Sequence, residues 1–253
     1  MTTAIKSDAS GTFGALQVGG ADVLRFGADN SGALTGFRNI LINGEVTRIN
    51  TRGIVNWAAV ANGAYGYDRW KKIDASNMTQ IVEAGNFIPN ATYTLSGVGV
   101  TKQQLTAPAS GHWTLPNIPI TATHVQCECG FIDTPFETRL GLDEFFAKRY
   151  LPNFSGTGII GFGQCISTTL ALIGLPYQVP PRVTPTGISF TGTFSVLTSG
   201  GVSQALSGIV FDGSTSGSVL VVKPTASAAT LASGNNTALL AASGVLLGLG
   251  CEL

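Results

Sequence analysis

Charge is the first thing this sequence has little of. Lys and Arg supply 14 of its 253 residues and Asp and Glu another 14, so charged side chains make up 11% and the formal net charge is zero. An ordinary soluble chain carries about 25%. Long soluble helices draw on Glu, Lys and Arg for their outer faces, so the scarcity excludes a mostly helical fold. With no excess of either sign and no block of like charge, the chain has no electrostatic footprint for nucleic acid or for an anionic membrane. The four cysteines, Cys127, Cys129, Cys165 and Cys251, are too few and too irregularly spaced for the disulfide framework of a small secreted domain, and free thiols are expected. The opening MTTAIKSDAS lacks the apolar core of a signal peptide. The longest late apolar run, Thr237 to Gly250, is too short and too glycine-rich to span a bilayer comfortably. Synthesis in a cytoplasm without membrane insertion is the expectation.

What the chain has instead is glycine, 33 copies of it, between short apolar segments rich in β-branched and aromatic residues. Residues 1–36 alternate Leu16, Val18, Val23 and Phe26 with turn signals at Gly19-Gly20 and Asp29-Asn30-Ser31-Gly32. They predict two or three strands that cannot bury a core alone, as an attachment segment would. Residues 37–139 hold seven strand-like segments, ILING, GIVNWAAV, YDRWKKI, TQIVEAG, ATYTLSGVGV, HWTLPNIPI and HVQCECGFI, which imply a jelly-roll-like β-sandwich. In the last of these, Val125, Cys127, Cys129 and Phe131 share the expected core face, with Gln126 and Glu128 opposite. The one helical signal starts at Thr134, where Thr134-Pro135-Phe136-Glu137 offers a capping box with proline at the first helical position, and a short helix with its linker is placed over 140–152. Leu142, Phe145, Phe146 and Tyr150 form an apolar stripe that should pack on a sheet. From 153 to 253 charge almost vanishes, and GISFTGTFSVL, ALSGIVF and SVLVVKP predict a second, C-terminal β domain. Its hydroxyl- and glycine-rich face suits close contact between chains, so this domain is expected to mediate trimerisation. The fold class is all-β: a sandwich, a short helix, then a second β domain.

The side chains that carry chemistry have structural readings beside the functional ones. Asp68-Arg69-Trp70 can present an aromatic platform and a bidentate fork to a sugar, but an internal ion pair capped by a buried indole is the stronger reading. Trp57, Tyr65, Tyr67 and Trp113 lie near predicted loops and are the candidate ligand contacts, with half or more expected in the core. Glu128, Asp133, Glu137, Asp143 and Glu144 contain every pairing a glycosidase would need, yet capping, helix-start and arginine-pairing roles account for them better. Cys127-x-Cys129 lacks the two-residue spacing of a zinc knuckle. His112 and His124 come with no Gly-x-Ser-x-Gly elbow. Gly161-Phe162-Gly163 lacks the third glycine and the lysine of a phosphate loop. Neither an enzyme nor a cofactor or metal site is expected.

The order Asn39-Ile40-Leu41-Ile42-Asn43-Gly44, Arg52-Gly53, Tyr67-Asp68-Arg69-Trp70, Val125 to Gly130, Thr134 to Arg139, Glu144 to Tyr150, Arg182 to Thr186 and Cys251-Glu252-Leu253 resembles a group of tail-fibre and minor structural proteins of tailed bacteriophages. That group typically has N-x-LINGxF, RG, DRW and TPFE motifs and a terminal AEL. This sequence departs from it at Glu45-Val46 and in Phe146-Ala147-Lys148-Arg149-Tyr150, where the group usually has CQRYY. The resemblance implies a carbohydrate-binding-like jelly roll and a C-terminal β domain in a trimer on the virion surface. A short tail fibre or spike is expected, docked through residues 1–36 on another virion protein and touching a host glycan or outer-membrane component. A capsid decoration or head-fibre protein is the alternative, and a glycan depolymerase a distant one.

Overall fold

The computed structural model describes residues 38–253 and, before them, the backbone of three strands; the remainder of the expected attachment segment lies outside the described residues. The fold is all-β with one short helix. The chain forms two compact units, one of Met1–Val46, Ala61–Ala64 and Trp70–Thr138, the other of Thr47–Val60, Tyr65–Arg69 and Arg139–Leu253. The later unit takes up the chain at Arg139 and also includes two short segments from within 37–139. The reason is polar bonding inside that unit: Asp68 accepts from Thr51, Arg52 reaches Glu252 and Tyr65 reaches the carbonyl of Leu253.

The first unit is assembled from small antiparallel sheets. Strands β1 (Thr3–Ser7), β2 (Phe13–Val18) and β3 (Ala21–Arg25) form one. The others use β4 (Lys71–Lys72), β5 (Asn77–Thr79), β6 (Ile81–Val82), β7 (Thr92–Val98), β8 (Gln103–Thr106), β9 (Trp113–Thr114), β10 (Ile118–Pro119) and β11 (Thr123–Cys129), in the orders β10-β5-β4, β11-β7-β8 and β6-β9. Leu41, Trp70, Met78, Leu95, Ile118 and Val125 are wholly buried at its core.

On β11 the expected alternation fails. Val125 and Cys127 are buried, but so are Gln126 and Glu128, whereas Cys129 and Phe131 are exposed. The chain after the strand folds back over the polar face, where Gln126 donates to the Thr134 carbonyl and Glu128 accepts from the Thr134 amide and hydroxyl at 2.8 and 2.6 Å. Two polar residues are thus buried with their partners, as burial requires.

The second unit begins with α1 (Leu140–Tyr150) and continues through β12 (Asn153–Ser155), β13 (Gly158–Cys165), β14 (Ala171–Pro176), β15 (Gly187–Thr191), β16 (Phe194–Thr198), β17 (Ser203–Phe211), β18 (Val219–Ala226), β19 (Asn236–Ala241) and β20 (Val245–Leu249). Six strands close into a barrel in the order β13-β14-β18-β17-β16-β19, and β12-β20-β15 make a separate sheet. Alternation works here. Ala171, Ile173 and Leu175 of β14 and Leu220 and Val222 of β18 point into a core completed by Val196 and Leu239. A barrel this narrow has room only for side chains, and glycine sets how closely its walls approach. A Cβ on Gly163 would stand 1.8 Å from the Leu172 carbonyl oxygen, and one on Gly161 2.7 Å from that of Gly174. The Gly161-Phe162-Gly163 segment is therefore a strand contact.

Helix α1 departs from its expected start and face. It begins at Leu140, with Arg139 as N-cap and no side-chain capping bond, because Thr134 is already held by Glu128. Its buried residues are Asp143, Ala147 and Tyr150, while Leu142 and Phe145 are 40% and 50% exposed. A buried Arg139–Asp143 ion pair at 3.1 Å and the stacking of Arg69 on Tyr150 turn the helix so that Leu142 and Phe145 of the expected stripe face outward while Tyr150 stays buried.

Candidate functional site

Two buried polar networks, one in each unit, collect the motif residues. In the first unit the Asn39 side chain bridges to β11: its Oδ1 accepts from the Leu41 and Cys127 amides at 3.0 and 2.9 Å, and its Nδ2 donates to the Val125 carbonyl at 3.2 Å. Gly44 must lack a side chain, since a Cβ would stand 2.4 Å from the Val125 carbonyl oxygen and 3.0 Å from the Phe136 ring. Beside it Asn43 donates to the Val46 carbonyl and its own carbonyl accepts the Trp70 indole N–H at 2.8 Å. The turn carries Val46 at φ +62°, a left-handed conformation rare for a β-branched residue.

In the second unit the Asp68-Arg69 dipeptide is the hub. Asp68 accepts from the Thr51 amide at 3.0 Å and from its hydroxyl, while Arg69 lies 3.6 Å over the Tyr150 ring. Arg52 pairs with Glu252, and Arg182 donates to the carbonyls of Cys251 and Glu252 at 2.8 and 3.0 Å. Burial pushes the carboxyl groups of Asp68 and Glu252 above their ordinary range, outweighing the pull of Thr51 on the first and of Arg52 on the second. For Glu252 the ion pair engages one carboxylate oxygen; Oε1, like Nη1 of Arg52, is buried with no hydrogen-bond partner.

The aromatic candidates do not form an open platform. Trp57, 7% exposed, stacks on Tyr67 with centroids 5.1 Å apart and closes over Gly66. Tyr65 donates its hydroxyl to the Leu253 carbonyl, and burial raises its pKa. Trp113, also 7% exposed, packs edge-on against Phe87 and Tyr93 in the first unit. Trp57 and Trp113 are thus buried against rings that only tertiary contact supplies, while Tyr65 and Tyr67 are half-buried. Of the other motif residues, Asp68, Arg69 and Trp70 are 2% exposed or less; Thr134 clamps Glu128, Phe136 packs on His124, and Pro135 and Glu137 are exposed.

The carboxylates of the suspected acid pair are mostly engaged: Glu128 with Thr134 and Arg38, Asp133 with Lys102, Asp143 with Arg139. His112 accepts from the Ala84 amide at 3.0 Å. All four cysteines are free thiols, and burial pushes those of Cys127 and Cys251 up to about 12 and about 11. Among the described residues no group of three or more His, Cys, Asp or Glu is placed to hold a metal ion.

One concavity escaped the sequence reading. In the second unit a cleft of about 400 Å³ is lined by residues 48–51, by Glu144, Ala147 and Lys148 of α1, by Asn153 and Ser155 of β12, and by Val245. Its walls come from segments about two hundred positions apart at most, and apart from the Glu144 to Tyr150 stretch none carries a recognisable motif. No protein-family model, curated protein or solved structure matches this chain.

Proposed function

We propose that this chain is a virion structural protein of a tailed bacteriophage, a short trimeric tail fibre or spike that binds a host-surface glycan without turning it over. The observation that supports this reading best is the fate of the motif residues. Asn39, Gly44 and Trp70 in one unit, and Arg52, Asp68, Arg69, Arg182 and Glu252 in the other, are the residues that tie each unit together. A pattern held for architecture is what a structural family would share, whereas a pattern held for chemistry would leave reactive groups facing a cleft. The engaged carboxylates Glu128, Asp133 and Asp143 agree with contact rather than acid-base hydrolysis. Residues 1–36 then serve as the dock on another virion protein, and threefold display multiplies weak glycan contacts into useful avidity. Immunogold electron microscopy of phage particles tests the assignment: label at the tail is the expected result, label on the head lattice favours the capsid-decoration reading, and unlabelled particles reject both. Removing residues 1–35 should abolish incorporation while leaving a soluble trimer.

A further inference from the structure

We infer that the cleft in the second unit between residues 48–51, α1 and β12 binds one ring of an uncharged saccharide. The inference rests on the surface-attachment reading and gives it a location other than the aromatic residues. The polar groups of the lining fall into two sets. The first is already bonded: Thr51 to Asp68, the Asn50 side chain to the Ile54 backbone, and the Lys148 ammonium to Gln178. Arg48 is likewise engaged. The second set is Glu144 of α1 with Asn153 and Ser155 of β12, whose side chains make no hydrogen bond or ion pair with another described residue. It comprises a carboxylate, which only accepts, and an amide and a hydroxyl, which both donate and accept. Its complement is a row of neighbouring hydroxyl groups, each giving one hydrogen bond and taking another.

Size and apolar surface agree with a sugar ring. The cleft, at about 400 Å³, lies within the range of small-molecule sites. Ile49 and Ala147, both nearly buried, and the half-buried Val245 offer apolar surface to ring C–H groups. Charge on the ligand is disfavoured in either sign. An acid group would meet the carboxylate of Glu144, with Lys148 and Arg48 already engaged, and a cationic group would share the cleft with those two side chains. Both principal walls are set in advance. In the 48–51 wall Asn50 exchanges two 2.8 Å hydrogen bonds with the Ile54 backbone, and Asp68 holds Thr51 while its own amide donates to the Ile49 carbonyl at 3.2 Å. The α1 wall is fixed by Arg69 on Tyr150 and by the Arg139–Asp143 pair. Such preorganisation lowers the ordering cost of binding a small, weakly held ligand.

The test is saturation-transfer difference NMR titration on the full chain at low and high sodium chloride. The neutral probes are D-glucose and D-galactose; the charged ones are D-glucuronic and D-galacturonic acids and D-glucosamine and D-galactosamine. At least one neutral probe should bind about tenfold more tightly than its charged counterparts, with the same affinity at both salt concentrations, since no ion pair holds it. Glu144→Ala should weaken that binding about tenfold by removing the charged acceptor. Ser155→Trp should abolish it by filling the cleft. Both positions are exposed, so the circular dichroism spectrum should stay unchanged. Equal or tighter binding of a charged probe, or an affinity that falls with salt, overturns the ligand class. Wild-type binding by either variant overturns the location, and no binding by the native protein overturns the site. Native mass on the same sample separates the two readings: a trimer that binds no probe removes the cleft alone, and a monomer removes the fibre.

Discussion

At the scale of single residues, close-packed glycines and buried carboxylates make specific predictions. Gly163→Ala drives a methyl group into the Leu172 carbonyl, a backbone atom that cannot swing aside, so a loss of more than about 3 kcal/mol is expected in urea unfolding. Gly187→Ala, on a strand with open space around its Cα, is the control and should change stability by less than about 1 kcal/mol. The buried carboxylates give a pH signature opposite in sign to ordinary acid denaturation. Glu252 has its folded-state pKa raised from 4.5 by burial, so the folded protein holds that proton more tightly than the unfolded chain does. Its contribution therefore favours folding at low pH and is lost as pH rises through the window above 4.5. Glu252→Gln removes this dependence. The stability of the native protein relative to the variant should fall as pH is raised from about 4.5 to about 7, and urea titrations across that range would read it; a difference that grows in favour of the native protein would contradict the assignment.

At the scale of elements, α1 separates what a sequence can say from what it cannot. The helix and its approximate end are legible, since Lys148 and Arg149 close its last turn and Pro152 follows. Its orientation is not. Leu142, Phe145, Phe146 and Tyr150 read as the apolar stripe, but of these only Tyr150 is buried, together with Asp143 and Ala147, because Asp143 is drawn inward by its neighbour Arg139 and Tyr150 by Arg69, a partner that no window of local sequence contains. Substitutions should follow the observed face. Ala147→Phe overpacks a site that is 3% exposed and should cost about 1–3 kcal/mol, and Asp143→Ala, which strips Arg139 of its buried carboxylate, about 3–5 kcal/mol. Phe145→Ser should cost less than about 1 kcal/mol. Thermal unfolding of the three variants ranks them directly, and the reverse order would restore the stripe. The same limit hid the cleft. Alternation and turn residues identify strands in β17 and β18, but bringing Ile49, Lys148 and Ser155 to one concavity is an outcome of strand pairing and of the Asp68-Arg69 hub.

At the scale of the whole molecule, the proposed trimer is argued from how little charge the later half offers. From residue 153 onward the charged side chains are Arg182, Asp212, Lys223 and Glu252, and each is engaged: Arg182 on backbone carbonyls, Glu252 with Arg52, Asp212 with Lys223. The Lys223 ammonium holds the Asp212 carboxyl well below its usual range. What the barrel presents outward is apolar and hydroxyl surface, with Phe162 69% and Val210 60% exposed. An uncharged face of this kind meets an identical face without like-charge repulsion, and its association owes nothing to ion pairs that salt would screen. The trimer should therefore persist unchanged from low to high sodium chloride. Phe162→Asp leaves the barrel interior untouched but places one carboxylate per chain on the apolar wall, and should dissociate the trimer at micromolar concentration with the β-sheet circular dichroism intact. Native mass spectrometry and sedimentation read both outcomes. A trimer that dissolves in salt would show that charged surfaces elsewhere hold it, and one that survives Phe162→Asp would move the interface off β13.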